Sequence, residues 1–336
     1  MVTLREIAKE AGVSIATVSA VINDSRQVAP KTRKRVQRAI DELGYRPNQI
    51  ARALKKGVTK KIIYIIPSIT NLVFGRFVSE VQREIVEHGY DLVLYTNELS
   101  LERTRISTDL LEKSRFDGVI MSQTTTCGQL IYRTCRDRDI PLLVFQTPDV
   151  IKGVDIVTSA EEAGVKSAVQ YLAELGHREI GFLMVKDSRV HNRRLNGYME
   201  ALQQMGIEFT WDRVMLSSGH DELASEACVE KHIHNGKLNL TAIICCNDYM
   251  GIGAMRALKK AGIRIPADVS VIGHDNSVGK YTIPALTTID FNGSEMAASA
   301  VKILLERIKN PGKETQKLLF SPRLIIRDST GPAIVD

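Results

Sequence analysis

The chain has 336 residues, of which 44% are hydrophobic and 25% are charged, a composition typical of a water-soluble globular protein. It has a formal net charge of +6, and it contains no run of about 18 uncharged apolar residues, which excludes a membrane-spanning helix. The N-terminus has no apolar signal segment, so we expect a cytoplasmic protein.

The positive charge is concentrated in the first 61 residues. This segment holds fourteen Lys and Arg against five Asp and Glu, whereas the rest of the chain holds 31 against 34. A basic N-terminal module on a slightly acidic body is typical of polyanion binding confined to one module. The alternative is a solvated basic face that has no partner.

Three short helices are predicted in this basic segment. Thr3 and Glu6 fit a capping box at the start of the first helix, and Gly12 fits the left-handed residue that ends it. Ser14 can cap the second helix, and Pro30 suits the first turn of the third. Three helices in about 45 residues predict a small module that can dock on a DNA duplex.

The spacing of small and branched residues indicates how the first two helices pack. Ala8, Gly12 and Val18 follow the pattern Ala-x3-Gly-x5-Val, a packing signature of the helix-turn-helix, although unrelated helix pairs also contain Ala and Gly. The outward face of the second helix carries no charge and consists of Ile15, Ala16, Ser19, Ala20 and Asn23. Because short side chains allow a helix to enter the major groove, we expect this face to contact DNA.

The segment GYRPNQIARALKKG, residues 44–57, predicts a further short basic helix. Pro47 cannot continue the preceding helix, and Asn48 can cap a new one. Two turns of isolated helix are marginal in water, so we expect this segment to order only against a partner copy or DNA. A simple basic linker is the alternative.

From residue 62 onward, nearly continuous apolar strands alternate with helices. This pattern predicts an α/β fold with two doubly wound parallel sheets and a ligand cleft at the carboxyl ends of their strands. The first series of strands is expected at 62–67, 91–96, 118–122, 140–145 and 155–159. The second series is expected at 180–185, 242–246 and 269–273. The last segments are expected to cross back, and they comprise strands at 287–290, 317–320 and 323–327 and a helix at 293–309.

Taken together, these motifs resemble the lactose-repressor/galactose-repressor family of bacterial transcription regulators. The resemblance rests on TLREIAKEAGVSIATVSAVIN, on GYRPNQIARALKKG and on the α/β body, and it covers essentially the whole chain. It implies a helix-turn-helix domain at 1–46, a hinge helix or linker at 47–58, and a two-lobed periplasmic-binding-protein-like core at 59–336. Lobe 1 would comprise about 59–158 and 291–320, and lobe 2 about 159–290 and 321–330.

The resemblance also implies which residues bind DNA. Positions that usually contact phosphate or sugar are matched by Thr3, Ser14, Thr17, Ser19, Asn23, Thr32, Tyr45 and Asn48. Ile15 and Ala16 match the two positions that most often set operator specificity. Leu54 matches the hinge leucine that wedges into the minor groove, and Ala51 matches a small residue where paired hinge helices approach. Ala20 departs from the family, in which many members carry Arg, so the usual operator sequence is not transferred.

Candidate effector-binding residues lie just past strands of the body, and they are Asn71, Phe74, Arg194, His220, Asn247 and Asp275. Arg, Asn and Asp supply fixed donors and acceptors that read sugar hydroxyls, and Phe74 can face a sugar ring. The resemblance implies effector contacts for Arg194, Asn247 and Asp275, while His220 matches a position that is more often aromatic. Gln146 and Thr147 stand where many members have Asp-Arg, which suggests an altered pocket.

We recognise no set of catalytic residues in the sequence. GIGAMR, residues 251–256, only partly resembles a glycine-rich nucleotide loop, so we expect a helix with small packing residues there. His232 and His234 would point to different faces of a helix, which argues against a metal site. The five cysteines form no C-x-x-C pair and are expected to be free thiols. We therefore predict no catalytic residues, no metal and no cofactor.

The sequence thus predicts a homodimeric repressor of carbohydrate-utilisation genes. Its partners would be a pseudo-palindromic double-stranded DNA operator and a sugar or sugar phosphate, which binds between the core lobes and changes the DNA affinity. Two alternatives remain at this point. One is a sugar-binding protein or sugar enzyme with an incidental basic head, and the other is a regulator that uses a purine or a protein corepressor.

Overall fold

The computed structural model describes residues 2–23, 27–45, 58–98, 100–122, 126–147, 151–186, 188–236 and 239–334. The chain divides into two compact units, Met1–Lys60 and Lys61–Asp336, which we call the head and the core. Within the described ranges, no helix is both long enough and apolar enough to cross a membrane.

The head contains the three predicted helices, α1 (Leu4–Glu10), α2 (Ile15–Asn23) and α3 (Pro30–Glu42). Their shared core is built on Ile7, Val18 and Val36, whose side chains are fully buried. The capping box of α1 is confirmed, because Thr3 and Glu6 exchange backbone-to-side-chain hydrogen bonds in both directions. Gly12 has a φ of +59°, the left-handed conformation predicted for the turn between α1 and α2.

The first sheet of the core is entirely parallel. It consists of β1 (Lys61–Ile66), β2 (Asp91–Thr96), β3 (Gly118–Ser122), β4 (Leu142–Phe145), β5 (Asp155–Ser159) and β11 (Lys317–Phe320), in the order β11-β5-β4-β3-β1-β2. Every residue of β3, β4 and β5 is buried, as expected for a parallel sheet that is covered on both faces.

The second sheet repeats this topology with one antiparallel edge. It consists of β6 (Ile180–Val185), β7 (Val214–Ser217), β8 (Ala242–Cys245), β9 (Ser270–His274), β10 (Thr287–Asp290) and β12 (Arg323–Ile325), in the order β12-β10-β9-β8-β6-β7. Only β12 runs antiparallel to its neighbour. The predicted α/β fold with two doubly wound sheets is confirmed.

The helices of the core divide between the two sheets. Lobe 1 contains the first sheet with α4 (Leu72–Glu87), α5 (Leu101–Lys113), α6 (Thr126–Asp137) and α11 (Gly293–Lys309). Lobe 2 contains the second sheet with α7 (Glu161–Glu174), α8 (Arg189–Gln204), α9 (Glu222–His234) and α10 (Asp248–Lys260). The chain passes between the lobes after β5, after β10 and after β11. The carboxyl ends of the parallel strands of both sheets meet at the cleft between the lobes.

Two elements, β7 and α9, were not expected from the sequence. β7 is a four-residue edge strand with an exposed Leu216, so it lacks the continuous apolar run of the central strands. α9, with the sequence ELASEACVEKHIH, has charged residues around most of its circumference and no clear apolar stripe. Its packing against α10 depends on Gly253, where a Cβ would lie 2.3 Å from the Glu222 carbonyl oxygen. GIGAMR therefore lies within a packed helix, as predicted.

Candidate functional site

The outward face of α2 in the head is formed by short side chains. Ser14, Ile15 and Ala16 are exposed, and Ile15 keeps 45% of its surface accessible although it is branched and apolar. Thr17, Ser19 and Asn23 are half-buried beside them. This arrangement gives α2 an uncharged, low-relief surface that a major groove can accommodate.

The prediction that Ala20 lies on this outward face is wrong. Ala20 is only 3% exposed, so it is among the buried residues of α2. An alanine side chain ends at Cβ and cannot extend past the atoms that cover it, so Ala20 cannot reach a base edge here.

The polar side chains of α2 are ordered by hydrogen bonds within the helix. The Thr17 backbone N–H donates to Ser14 Oγ at 3.1 Å, and the two hydroxyl oxygens of these residues lie 2.9 Å apart. Asn23 Nδ2 donates to the Ser19 carbonyl oxygen at 2.8 Å and to Ser19 Oγ at 3.1 Å. These bonds hold the hydroxyl and amide groups of the face in place before any ligand binds.

The remaining predicted DNA-binding residues lie around this face or outside the described residues. Thr3 is exposed at the cap of α1, Thr32 is half-buried in the first turn of α3, and Tyr45 packs against the core of the head. The predicted hinge residues, Asn48, Ala51 and Leu54, lie outside the described residues.

In the core, a cleft of about 580 Å³ lies between the two lobes. All six predicted effector residues line it, and they are Asn71, Phe74, Arg194, His220, Asn247 and Asp275. Gln146 and Thr147, the positions that depart from the family pattern, also line it. The structure thus brings together residues that are up to about 200 positions apart in the sequence.

The lobe 1 wall of the cleft carries the aromatic rings of Phe74, Phe77 and Phe291. Asn71 caps α4 by accepting a hydrogen bond from the Val73 backbone N–H at 3.0 Å, and this cap fixes the start of the helix. Phe74 follows and is only 6% exposed. Phe77, one turn further, packs edge-on against Phe145 with ring centroids 4.8 Å apart. This wall therefore offers a fixed apolar surface to a ligand.

The lobe 2 wall is organised around the guanidinium group of Arg194. Its Nε donates to Glu161 Oε2 at 2.7 Å, and its Nη1 donates to the Cys246 carbonyl oxygen. Its Nη2 lies 3.8 Å from Asp275 Oδ1. Glu161 is itself held by the Ser159 hydroxyl, which donates to Oε1 at 2.6 Å. Arg194 is only 5% exposed, so this charged group is oriented in a nearly dry environment.

Histidines surround this cation, and they are held neutral. The Val185 backbone N–H donates to His191 Nδ1 at 3.0 Å, which requires that this nitrogen carry no proton. Burial, and then the positive charge of Arg194, lower the pKa of both His191 and His274 well below the usual range. The same causes lower the pKa of His220, whose ring lies 4.8 Å from that of His191. The buried positive charge of this wall therefore belongs to Arg194. Cationic side chains that are more exposed also line the cleft, and they are Lys186, Arg189 and Arg193.

Asp275 faces Arg194 from a turn that another carboxylate holds in shape. Burial raises the pKa of Asp275 well above its usual range, and Arg194 opposes that rise. The residue has a φ of +101°, which is uncommon for a residue with a side chain. Asp248 Oδ2 accepts hydrogen bonds from the backbone N–H groups of the next turn residues, Ser277, Val278 and Gly279. The cleft thus presents an oriented donor and an oriented acceptor side by side.

Sequence reasoning missed Glu161, Ser159 and His191, although signals for them existed. Glu161 lies two residues after the end of β5, at the carboxyl end of a strand where ligand sites form. His191 lies three residues before Arg194 on α8, which places both on one face of that helix. Asn247, in contrast, was predicted correctly to lie at the cleft, where it caps α10 and donates from Nδ2 to the His220 carbonyl oxygen at 3.0 Å.

Family models of known proteins match both the head and the core of this chain. Residues 3–48 match the family model described as bacterial regulatory proteins, lacI family, and residues 169–330 match a periplasmic binding protein-like domain. The HTH-type transcriptional repressor PurR of Pasteurella multocida (strain Pm70) is 34% identical over 331 residues, which is 98% of this chain and 98% of that protein.

Solved structures of regulators share the fold over nearly the whole chain. A lac repressor dimer bound to operator and the anti-inducer ONPF is 27% identical with a TM-score of 0.88, and the match covers 98% of this chain and 99% of that one. A complex of the transcriptional regulator CelR with cellobiose is 28% identical with a TM-score of 0.72, and the match covers 98% and 100%.

These matches decide between the alternatives that the sequence left open about the basic head. A sugar-binding protein or sugar enzyme would have no need of a head that matches a DNA-binding family model. That alternative is therefore wrong, and the expectation of a non-enzymatic regulator is confirmed. The chain belongs to the lacI family of bacterial regulatory proteins and is a DNA-binding transcriptional repressor.

Proposed function

We propose that a sugar or sugar phosphate bound between the lobes controls the affinity of this repressor for its operator. The observation that supports this is the pairing of two unlike walls across one cleft. Phe74 offers an apolar ring to the C–H face of a sugar, while Arg194 and Asp275 offer an oriented donor and acceptor to its hydroxyls. The similarity to the transcriptional regulator CelR, whose structure was solved as a complex with cellobiose, also supports a sugar ligand.

A purine corepressor is the second candidate, because the curated relatives carry the name PurR. A planar base would stack on Phe74 and would need a second flat surface opposite. In this chain the residue available on the lobe 2 wall is His220, which packs against His191. We favour the sugar because the guanidinium of Arg194 and the carboxyl group of Asp275 lie side by side on this wall, an arrangement that suits adjacent hydroxyls.

The direct test is a titration of DNA binding by fluorescence anisotropy. A labelled fragment from upstream of the gene is titrated with the full chain at physiological salt, and cellobiose, ribose, sugar phosphates, adenine and guanine are then added separately. Release by one sugar would support the proposal and identify the protein as an inducible repressor. Tighter binding with a purine would support the second candidate, and no response to any sugar or sugar phosphate would overturn the first.

We also propose that the repressor acts as a homodimer in the cytoplasm, where a bacterial regulator meets the chromosome. A small head of three helices covers one half-site, so a two-fold pair of heads suits a pseudo-palindromic operator. The division into a DNA-binding domain at 1–46, a hinge at 47–58 and a core at 59–336 remains part of this proposal. Sedimentation equilibrium of the full chain would overturn the dimer if it gave a mass near 37.3 kDa at operator-binding concentrations.

The proposed hinge can be tested separately from the cleft. Leu54→Ala removes the side chain expected to wedge into the minor groove, so operator affinity should fall while ligand binding by the core is unchanged. The DNA titration reports the first quantity, and isothermal titration calorimetry with the responsive sugar or purine reports the second. Equal loss of both affinities would contradict a modular repressor.

A further inference from the structure

Two polar contacts join helix α4 of lobe 1 to lobe 2. Arg76 Nη1 donates a hydrogen bond to the backbone carbonyl oxygen of Asn276 at 3.1 Å. One turn earlier on the same helix, the Leu72 backbone lies near the hydroxyl of Tyr249, the second residue of α10, where it opposes the burial that raises the pKa of that hydroxyl. We call these contacts the α4 seam. These contacts are separate from the ligand contacts proposed for the cleft residues.

The seam residues are neighbours in the chain of residues that line the effector cleft. Leu72 follows Asn71, Tyr249 lies two residues after Asn247, and Asn276 follows Asp275. Phe74 lies on α4 between the two seam positions and lines the cleft. These four cleft residues are therefore linked through one or two peptide groups to a contact between the lobes, so a displacement at any of them reaches the seam.

Asn276 is suited to transmit such a displacement because it is held on three sides. Its backbone N–H donates to Thr288 Oγ1 at 3.3 Å, and its Nδ2 donates to Asp290 Oδ2 at 3.2 Å. Its Oδ1 accepts a hydrogen bond from Arg327 Nη2 at 2.6 Å. Its φ of +50° lies in the left-handed region. Its carbonyl oxygen is thus a rigid part of lobe 2, and Arg76 is the lobe 1 group that meets it.

We propose that Arg76 is a positioning residue that couples occupancy of the cleft to the arrangement of the two lobes. This inference rests on the proposed effector function of the cleft. A ligand that pulls on Asp275 moves the adjacent carbonyl of Asn276 relative to α4, and a hydrogen bond is lost after a shift of a fraction of an ångström. Making or breaking the bond then favours one arrangement of the lobes over the other.

The first experiment needs no effector. Spin labels carried by unnatural amino acids replace Lys113 on α5 and Lys231 on α9, which are exposed on lobe 1 and lobe 2. Labelled full-length protein is diluted with unlabelled protein, and the distance distribution within one chain is measured by double electron–electron resonance. Arg76→Ala should displace or broaden the distribution found for the unsubstituted protein.

Arg83→Ala is the matched control, because Arg83 lies on the same helix and pairs with Glu80 at 2.6 Å within lobe 1. It should leave the distance distribution unchanged. Arg76→Lys, which keeps one cationic donor, should restore part of the original distribution. If the distributions of Arg76→Ala and Arg83→Ala superimpose, the inference is overturned, whatever the cleft binds.

The second experiment measures coupling to DNA. Operator affinity is determined with and without each of cellobiose, ribose, adenine and guanine, for the unsubstituted protein and both alanine variants. The factor by which a ligand changes DNA affinity should fall at least about threefold in Arg76→Ala and should persist in Arg83→Ala. Equal factors in the two variants would overturn the coupling role. If no probe changes DNA affinity even in the unsubstituted protein, the proposed effector function fails, and the spin-label result alone decides whether Arg76 holds the lobes.

Discussion

The two lobes of the core share a topology but contribute different chemistry to the cleft. Both have a six-stranded sheet with helices on its faces, and both direct the carboxyl ends of their strands toward the cleft. Lobe 1 supplies an aromatic wall built on Phe74 and Phe77, whereas lobe 2 supplies the buried guanidinium of Arg194 and its carboxylate partners. One architecture therefore supports both an apolar surface and a polar recognition group.

The aromatic wall and the ion network should therefore respond differently to substitutions. An aromatic wall is stabilised by burial and packing, so a substitution there removes contacts in proportion to area. A buried ion network depends on every partner, because removal of one charge leaves the others without compensation in a dry environment. We therefore expect lobe 2 to be the more sensitive lobe both to single substitutions and to pH.

The largest effect is expected from Arg194→Met. The methionine fills a similar volume but leaves the buried carboxylates of Glu161 and Asp275 without their cation. Loss of one partner from such a network costs about 3–5 kcal/mol in the free energy of unfolding. Urea denaturation followed by circular dichroism at pH 7.5 measures the loss.

The chain itself provides the matched control. Arg193, the preceding residue, pairs with Glu162 at 2.5 Å, and their side chains are 28% and 29% exposed. Because water remains in contact with this pair, Arg193→Met should cost no more than about 1 kcal/mol. Equal losses for the two substitutions would show that the burial of Arg194 does not control the stability of lobe 2.

A smaller effect is expected from adding one methyl group to a helix of each lobe. Gly253→Ala places a Cβ 2.3 Å from the Glu222 carbonyl oxygen, so α9 and α10 must move apart at a cost of about 1–3 kcal/mol. Gly75→Ala on α4 of lobe 1 meets no atom within 4 Å and should stabilise the helix by up to about 1 kcal/mol. Thermal unfolding compares the two variants, and a shift of the same sign in both would contradict the packing argument.

Much of this architecture could be predicted from the sequence because local signals were strong. The capping box at Thr3 and Glu6, the left-handed Gly12 and the apolar central strands are determined by nearby residues. Six members of the cleft could also be predicted, since residues that follow parallel strands meet at one edge of a sheet. β7 and α9 could not, because an edge strand and a helix without an apolar stripe resemble loop sequence.

The arrangement around Arg194 could not be predicted for a different reason. Glu161 and Ser159 precede Arg194 by about thirty residues, and their bonds to one another exist only after the two lobes have formed. The burial of Ala20 is a similar case, because a helical pattern assigns a residue to a face but does not say what covers that face. Tertiary contacts of single side chains leave no periodic signal in the sequence.

The smallest effect concerns pH, and it tests whether acid sensitivity resides in lobe 2. His191 is buried there, and burial lowers its pKa below the usual value of 6.5. Below pH 6.5 the unfolded chain takes up a proton at this residue while the folded chain does not. Stability therefore falls as pH decreases from 6.5 toward the lowered pKa, by at most about 1.4 kcal/mol per pH unit for this one residue.

His191→Asn isolates this contribution from the other titrating groups of the cleft, including Asp275, because those groups remain in the variant. The asparagine can place Oδ1 where His191 Nδ1 accepts the Val185 backbone N–H, so the hydrogen bond is retained without a titrating ring. Urea denaturation at pH 8.0, 6.5 and 5.5 should show a steeper loss of stability for the unsubstituted protein. Parallel pH dependence of the two proteins would mean that His191 takes up its proton equally in the folded and unfolded states. His191 would then not explain any acid sensitivity of this wall.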